Sequence, residues 1–311
     1  MSERFQILSL DGGGLKGLFS AAVLAHIEED RNINIADHFD LIVGTSTGGI
    51  IALGLGAGLR PREILDFYVE QGPRIFPHPR LRKVRQLFGP KYSGSTLQGV
   101  LKDRFGDRLL GQSGKRLVIP SYNIGEDDVY LFKTPHHTRL GRDWRVPMWK
   151  VAMATSAAPT FLPTFREVNQ QRLVDGGVWA NNPAMVGIVE AVATLDQSFD
   201  SLRLFSLGTT NEVKGRPKGL DHGGALKWAF SAHEVILRGQ SIGAFNQAKS
   251  LLPDGNAVRF DPPVATGLFQ LDSLSMPDLL AKAAHESRIF VPKFMDVFAD
   301  HQAAPYQPLY S

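Results

Sequence analysis

Short apolar runs that end in glycine alternate with stretches of helical periodicity along most of this chain. Phe5–Leu10 is the first such run, a six-residue buried strand that breaks at Asp11-Gly12-Gly13-Gly14. Beyond it Leu18, Ala21, Ala22, Ala25 and Ile27 recur at helical spacing and predict a helix from about Leu15 to Glu28. Phe39–Val43 is a second strand, Gly44-Thr45-Ser46-Thr47-Gly48 the turn after it, and a helix of small residues follows from about Thr47. Pro61, in the favoured first helical position, opens another helix carrying Ile64, Leu65 and Tyr68. Leu97–Phe105 reads as helix, Leu117–Ile119 and Val129–Phe132 as strands, and Pro147–Thr155 as a helix ending before Ser156-Ala157-Ala158-Pro159. Leu173–Asp175 closes a strand, and Asn182-Pro183 is an N-cap and first-turn pair opening a helix to Leu195. Leu202–Leu207 is a strand, Ala225–Leu251 a long helix, and Leu279–Phe298 a helical region interrupted at Pro292.

Strands alternating with helices predict an α/β fold, a mainly parallel sheet sandwiched by helices. The 311 residues suit one domain, with a motif-bearing core over about 5–210 and a helical C-terminal part over about 223–300. In such sheets ligands bind beyond the carboxyl ends of the strands. Three segments of unusual composition fall there: Asp11–Gly17, Gly44–Gly48 and Asp175-Gly176-Gly177.

Composition narrows the classes. The chain is 43% hydrophobic and 21% charged, ordinary for a globular protein, and its 31 Gly and 19 Pro make it turn-rich. With no cysteine there is no disulfide, thiol catalysis or Cys-ligated metal, which fits a reducing cytoplasm. The opening Met1-Ser2-Glu3-Arg4 leads into an apolar run too short for a signal-peptide core. Leu41 to Leu59 is 19 uncharged residues, nominally enough to cross a bilayer. Its six glycines, with Thr45, Ser46 and Thr47 among them, instead describe a buried strand, a tight turn and a closely packed helix. A net charge of +3 is too small to argue for a nucleic-acid polymer as partner. Between Pro73 and Lys91, however, lie Arg74, Arg80, Arg82, Lys83 and Arg85 with no acidic residue. This stretch is a solvated basic loop or a contact for an anionic lipid surface or a phosphate-bearing ligand.

The three segments carry complementary chemistry. Gly44-Thr45-Ser46-Thr47-Gly48 is a G-x-S-x-G elbow, which exposes a serine hydroxyl at a strand-to-helix turn. Serine needs a base, and Asp175 is the candidate; an unperturbed carboxyl, at about 3.9, is ionised at pH 7 but is a weak base. The glycine loop offers the amides of Gly12, Gly13 and Gly14 to a developing oxyanion. Gly12, Gly14 and Gly17 also match the dinucleotide pattern G-x-G-x-x-G, but that reading needs an acidic residue ending the second strand, and Asp40 begins it. A histidine base is open by chain order, since His222, His233, His285 and His301 all follow Asp175. Against it, the glycine loop and the elbow terminate the first two strands, an arrangement foreign to the α/β-hydrolase topology.

In this order the three segments resemble the patatin-like phospholipases, whose pattern is D-G-G-G-x-x-G, G-x-S-x-G and D-G-G or D-G-A. Ala154–Phe161 and Phe205–Thr209 look like that family too, and the matching region covers roughly the first two-thirds of the chain. The resemblance implies a Ser46–Asp175 dyad without histidine, an oxyanion hole at Gly12, Gly13 and Gly14, and support from Asp11, Gly17, Gly44, Gly48, Gly176 and Gly177. It implies cleavage of fatty-acyl esters of membrane phospholipids, phospholipase A-type carboxylic ester hydrolysis with no metal or organic cofactor. A non-lipid serine esterase or acyltransferase, or a non-catalytic nucleotide- or lipid-binding module, is the alternative. The opening Leu8–Ser20, with the chain's size, is similar to bacterial phospholipase effectors of CBASS anti-phage systems. That narrower resemblance implies a cyclic-nucleotide activator and a cytoplasmic protein peripheral at the inner membrane, with phosphates bound by the basic stretch or the region after Asp175. A homo-oligomer is compatible with all of this.

Overall fold

The computed structural model describes residues 4–77, 89–212, 215, 218–224, 228, 232–264 and 275–310. Its centre is β1 (Phe5–Leu10), flanked in parallel by β2 (Leu41–Gly44) and β6 (Leu202–Leu207). The register runs from Ile7 opposite Leu41 to Leu10 opposite Gly44, so both strands end level. Outside β2 lies parallel β3 (Arg116–Asn123), then antiparallel β4 (Asp128–Lys133) at one edge. On the other side β8 (Ala257–Phe260) adds in parallel to β6. Two short strands, β7 (Asn211–Glu212) and β9 (Pro263–Val264), pair separately.

The sheet is mixed through β5 (Leu173–Asp175), which runs antiparallel to the far end of β3. β2 pairs with β3 only at Arg116–Val118, and β4 takes the opposite edge, so Ser121–Asn123 keep one edge for β5. That placement carries Asp175 to the end of the sheet where β1 and β2 stop.

Alternation along β1 supplies both cores, because successive side chains point to opposite faces. Phe5 and Ile7 join Leu41, Val43, Ala184, Ile188 and Ala248 in one layer, whereas Leu8 and Leu10 enter the larger layer beneath the remaining helices. Those helices are α1 (Gly17–Arg31), α2 (Thr47–Gly56), α3 (Pro61–Ile75), α4 (Ser95–Phe105), α5 (Met148–Thr155) and α9 (Met276–Phe298). The smaller face carries α7 (Ala184–Ala193) and α8 (Ala232–Leu251), and a single turn, α6 (Gly177–Ala180), follows β5. Strands and helices thus form the α/β sandwich expected from the alternation, as one domain. The uncharged stretch from Leu41 is β2 and α2, buried in the interior. Among the described residues no helix is long and apolar enough to cross a membrane.

Three details depart from the sequence reading. Pro292 does not interrupt the last helix, which runs unbroken to Phe298. A helical proline costs about 3 kcal/mol, but Phe290, Phe294 and Phe298 on this helix are buried, and Phe290 stacks on Phe205 and Phe260 with centroids 5.2 and 4.3 Å away. Burying three phenylalanines, at roughly 2–3 kcal/mol each, outweighs one lost hydrogen bond. The second departure is at Asn182-Pro183: the helix starts at Ala184 and ends at Ala193, while Asn182 Oδ1 accepts the Ala184 N–H at 3.0 Å. The third is β8, a strand that hydropathy alone does not mark because Arg259 interrupts its apolar pattern.

Candidate active site

The elbow is built from close backbone contacts. Ser46 has φ 56° and ψ −121°, a left-handed conformation that costs a side-chain-bearing residue on the order of 1–3 kcal/mol. Neighbouring glycines let the chain close around it. A Cβ on Gly44 would sit 2.2 Å from the Gly48 carbonyl oxygen, and one on Gly48 would sit 2.3 Å from that of Leu10. The Ser46 N–H donates to Thr155 Oγ1 (2.9 Å), which itself donates to the Pro120 carbonyl (2.6 Å). Directly after Ser46, α2 begins and directs its positive dipole end at the turn.

Asp175 meets this hydroxyl from the end of β5. Ser46 Oγ donates to Asp175 Oδ2 at 2.6 Å, across 129 residues of chain. Asp175 Oδ1 accepts the Gly177 N–H at 2.7 Å, and the Asp175 N–H donates to the Ala157 carbonyl at 3.0 Å. Gly176 passes against the Pro120 carbonyl. Both Ser46 and Asp175 are buried. Burial pushes the Asp175 carboxyl up to about 6, against the pull of the Ser46 and Gly177 hydrogen bonds. It is therefore a stronger base than the free side chain considered from sequence, yet largely ionised at neutral pH.

The glycine loop crosses beside the elbow, with Gly17 packed on Thr47. Its three amides are not equivalent. The Gly12 N–H donates to the Asn181 carbonyl at 2.9 Å and is already committed. Among the described residues the amides of Gly13 and Gly14 have no protein acceptor, and both glycines line the same cavity as Ser46 and Asp175. Asp11, at the head of the loop, does not face this cavity. Its carboxylate is clamped by Arg259, Nη1 to Oδ1 at 3.3 Å and Nη2 to Oδ2 at 2.7 Å. Burial raises the Asp11 carboxyl to about 6, with Arg259 opposing the rise.

The cavity holds about 300 Å³ and is walled mainly by apolar side chains, among them Leu15, Ile50, Phe76, Leu97 and Phe161. Tyr68 also lines it and bonds Thr47 Oγ1 at 2.6 Å. Val178 and Ile236 lie on its walls and are exposed, so apolar surface continues from the interior to solvent.

Other sequence candidates lie elsewhere. Arg74 is near the end of α3 and donates to Gln71; Arg80, Arg82, Lys83 and Arg85 fall outside the described residues. Asp40 accepts the Gln6 N–H at 2.8 Å and pairs with His301 at 2.7 Å, so its carboxylate is occupied by protein. His222 and His285 are exposed, and no histidine lines the cavity as described. Trp228 is partly exposed and Phe230 lies outside the described residues. Sequence reading missed Thr155, Asn181 and Arg259. Thr155 stands within a segment already singled out for its family likeness, but nothing local distinguishes Asn181 or Arg259.

With this geometry established, comparison with known proteins decides the family. Residues 8–188 match the family model described as patatin-like phospholipase. The chain belongs to the patatin-like phospholipase family. It is a lipid acyl hydrolase, an enzyme of carboxylic esters. Relatives include a cGAMP-activated phospholipase of Pseudomonas aeruginosa, 34% identical over 282 residues that cover 88% of this chain and 80% of that protein. A second, from Vibrio cholerae serotype O1, is 36% identical over 234 residues, 68% of this chain and 66% of that protein. Patatin-like protein 2 of Arabidopsis thaliana is 31% identical over 337 residues, covering 90% and 82%. The crystal structure of VipD from Legionella pneumophila shares the fold, with a TM-score of 0.51 at 13% identity over 96% of this chain and 67% of that one.

Proposed function

We propose that this member of the family hydrolyses fatty-acyl esters of membrane phospholipids with Ser46 as nucleophile and Asp175 as base. The reading is carried by the 2.6 Å hydrogen bond between Ser46 Oγ and Asp175 Oδ2 beside an apolar cavity. Ser46 Oγ attacks the acyl carbonyl while its proton passes to Asp175 Oδ2. The oxyanion so formed is held by the free amides of Gly13 and Gly14, with Gly12 fixing the loop through Asn181 rather than donating to substrate. A single such donor is worth on the order of 3–4 kcal/mol. Collapse breaks the ester bond, and Asp175 returns the proton to the departing lysolipid oxygen. Water then gives a proton to Asp175 as its oxygen attacks the acyl-enzyme, and as the bond from the acyl carbon to Ser46 Oγ breaks, Asp175 passes that proton to Oγ, releasing fatty acid and restoring both residues. These steps draw on no metal or organic cofactor, and the acyl chain occupies the cavity throughout.

The enzyme acts at a membrane surface, which its substrate requires. Relatives named as cGAMP-activated support a cyclic dinucleotide as activator of this chain. Ser46→Ala and Asp175→Asn test the chemistry: each abolishes release of fatty acid from phospholipid vesicles while leaving the circular dichroism spectrum unchanged. A fully active Asp175→Asn enzyme contradicts the dyad. Vesicle hydrolysis with and without cGAMP tests the activator, and a rate that does not respond removes it.

A further inference from the structure

We propose that Arg259 is a positioning residue for the oxyanion loop, acting through Asp11; this rests on the assignment of Gly13 and Gly14 as oxyanion donors. The Arg259 guanidinium lies at the centre of a buried cluster. It makes two bonds to Asp11, one to Asp261 Oδ2 at 2.9 Å and one to Ser206 Oγ at 2.8 Å. Only 17% of its side chain is exposed, and Asp11 and Asp261 hold it firmly in the charged form.

Each partner comes from a different part of the sheet. Asp11 is the last residue before the glycines, Ser206 belongs to β6, and Asp261 follows β8. The Asp11 N–H is also fixed to the Leu207 carbonyl at 3.0 Å. Residue 11 is thus held at both backbone and side chain, and the two free amides follow two and three residues later. A planar guanidinium grips a carboxylate through two parallel N–H bonds, which sets orientation as well as distance; an ammonium cannot. Rotation of Asp11 would carry the Gly13 and Gly14 N–H vectors away from the position the oxyanion takes. Misplacing such donors by about 1 Å forfeits on the order of 100-fold in rate. Arg259, with Ser206 and Asp261, lies beyond residue 188, outside the segment matched by the family model. Its contact gives β8 a share in setting the catalytic geometry.

The role separates from simple stability by the kinetic constant it moves. Loop amides that act in the transition state affect kcat, whereas a loosened acyl cavity affects KM. The experiment is steady-state hydrolysis of a soluble short-chain p-nitrophenyl ester by purified Arg259→Gln, Arg259→Lys and Asp11→Asn proteins and the Arg259→Gln/Asp11→Asn double variant. Folded fraction is measured by circular dichroism. We expect Arg259→Gln to lower kcat at least 30-fold per folded molecule with KM changed less than threefold, and Arg259→Lys to recover part of the loss. The double variant should be no slower than the worse single one. Wild-type kcat in Arg259→Gln, a rise in KM alone, or multiplicative losses in the double variant would each overturn the proposal. Should Arg259→Gln fail to fold, the Arg259→Lys and Asp11→Asn proteins decide: kcat within threefold of wild type in both rejects it. Failure of the Ser46–Asp175 reading is recognised separately, as full wild-type turnover in Ser46→Ala.

Discussion

The two turns that make the site are stabilised in opposite ways. The elbow is closed largely from within: Gly44 and Gly48 pack on one another within two residues of Ser46, with Leu10 of the adjoining β1 against Gly48 and Thr155 Oγ1 accepting the Ser46 N–H. The glycine loop is held from afar, by Asn181 in the turn after α6, Leu207 of β6 and Arg259 of β8. The proposed nucleophile therefore depends mainly on its own segment, whereas the proposed oxyanion donors depend on the completed sheet. The proposed dyad joins the two modes, since Ser46 sits in the elbow and Asp175 arrives through the antiparallel β5.

The largest effect falls on the dyad itself. Ser46→Ala and Asp175→Asn should each reduce kcat/KM by at least ~10⁴-fold, as expected when one member of a catalytic unit is removed. Fatty-acid release assayed on vesicles checks this, and a loss of only a few fold in either variant breaks the comparison at its centre. Next is the elbow. Gly48→Ala places a methyl against the Leu10 carbonyl and should cost about 2–4 kcal/mol of stability. Gly99, in α4, has open space around its Cβ position, so Gly99→Ala should be neutral or stabilising by up to ~1 kcal/mol. Urea unfolding of the two variants separates close approach from mere helix propensity.

A third expectation concerns pH. The proposed mechanism requires the base form of Asp175, and burial raises this carboxyl to about 6. The kcat/KM profile should therefore be flat above neutral pH and fall about tenfold per unit below 6. An acid limb near 4 would mean that desolvation does not govern this group. The smallest effect belongs to the surface. Arg62 and Glu29 form a two-pronged pair at 2.6 Å with both side chains well exposed, the solvent-facing counterpart of Arg259 and Asp11. Arg62→Ala should change stability by less than ~0.5 kcal/mol, measurable by the same denaturation.

How much was legible in the sequence follows the same division. Local features were readable: β1 and β6 fall where their apolar runs lie, and the glycine turns mark the strand ends. Composition and turn chemistry act over a few residues, and so does hydrophobic periodicity. What escaped depends on tertiary partners. The direction of β5 is set by the edge that β2 leaves open on β3, and α9 tolerates Pro292 because its phenylalanines find Phe205 and Phe260. The occupied amide of Gly12 could not be foreseen, because its acceptor is a backbone carbonyl at Asn181. Arg259 was hidden for a similar reason: a lone arginine in a four-residue strand carries no mark of the carboxylate it will meet. Ser46 and Asp175 were nominated from motif and resemblance, and the fold brings their oxygens to 2.6 Å.

The most direct test of the dyad is the rate at which a fluorophosphonate labels Ser46, followed by peptide mass spectrometry. The account predicts a single adduct on the peptide containing Ser46 in wild type, none in Ser46→Ala, and labelling at least 100-fold slower in folded Asp175→Asn. Adducts on another serine, or an Asp175→Asn protein labelled as fast as wild type, would contradict it.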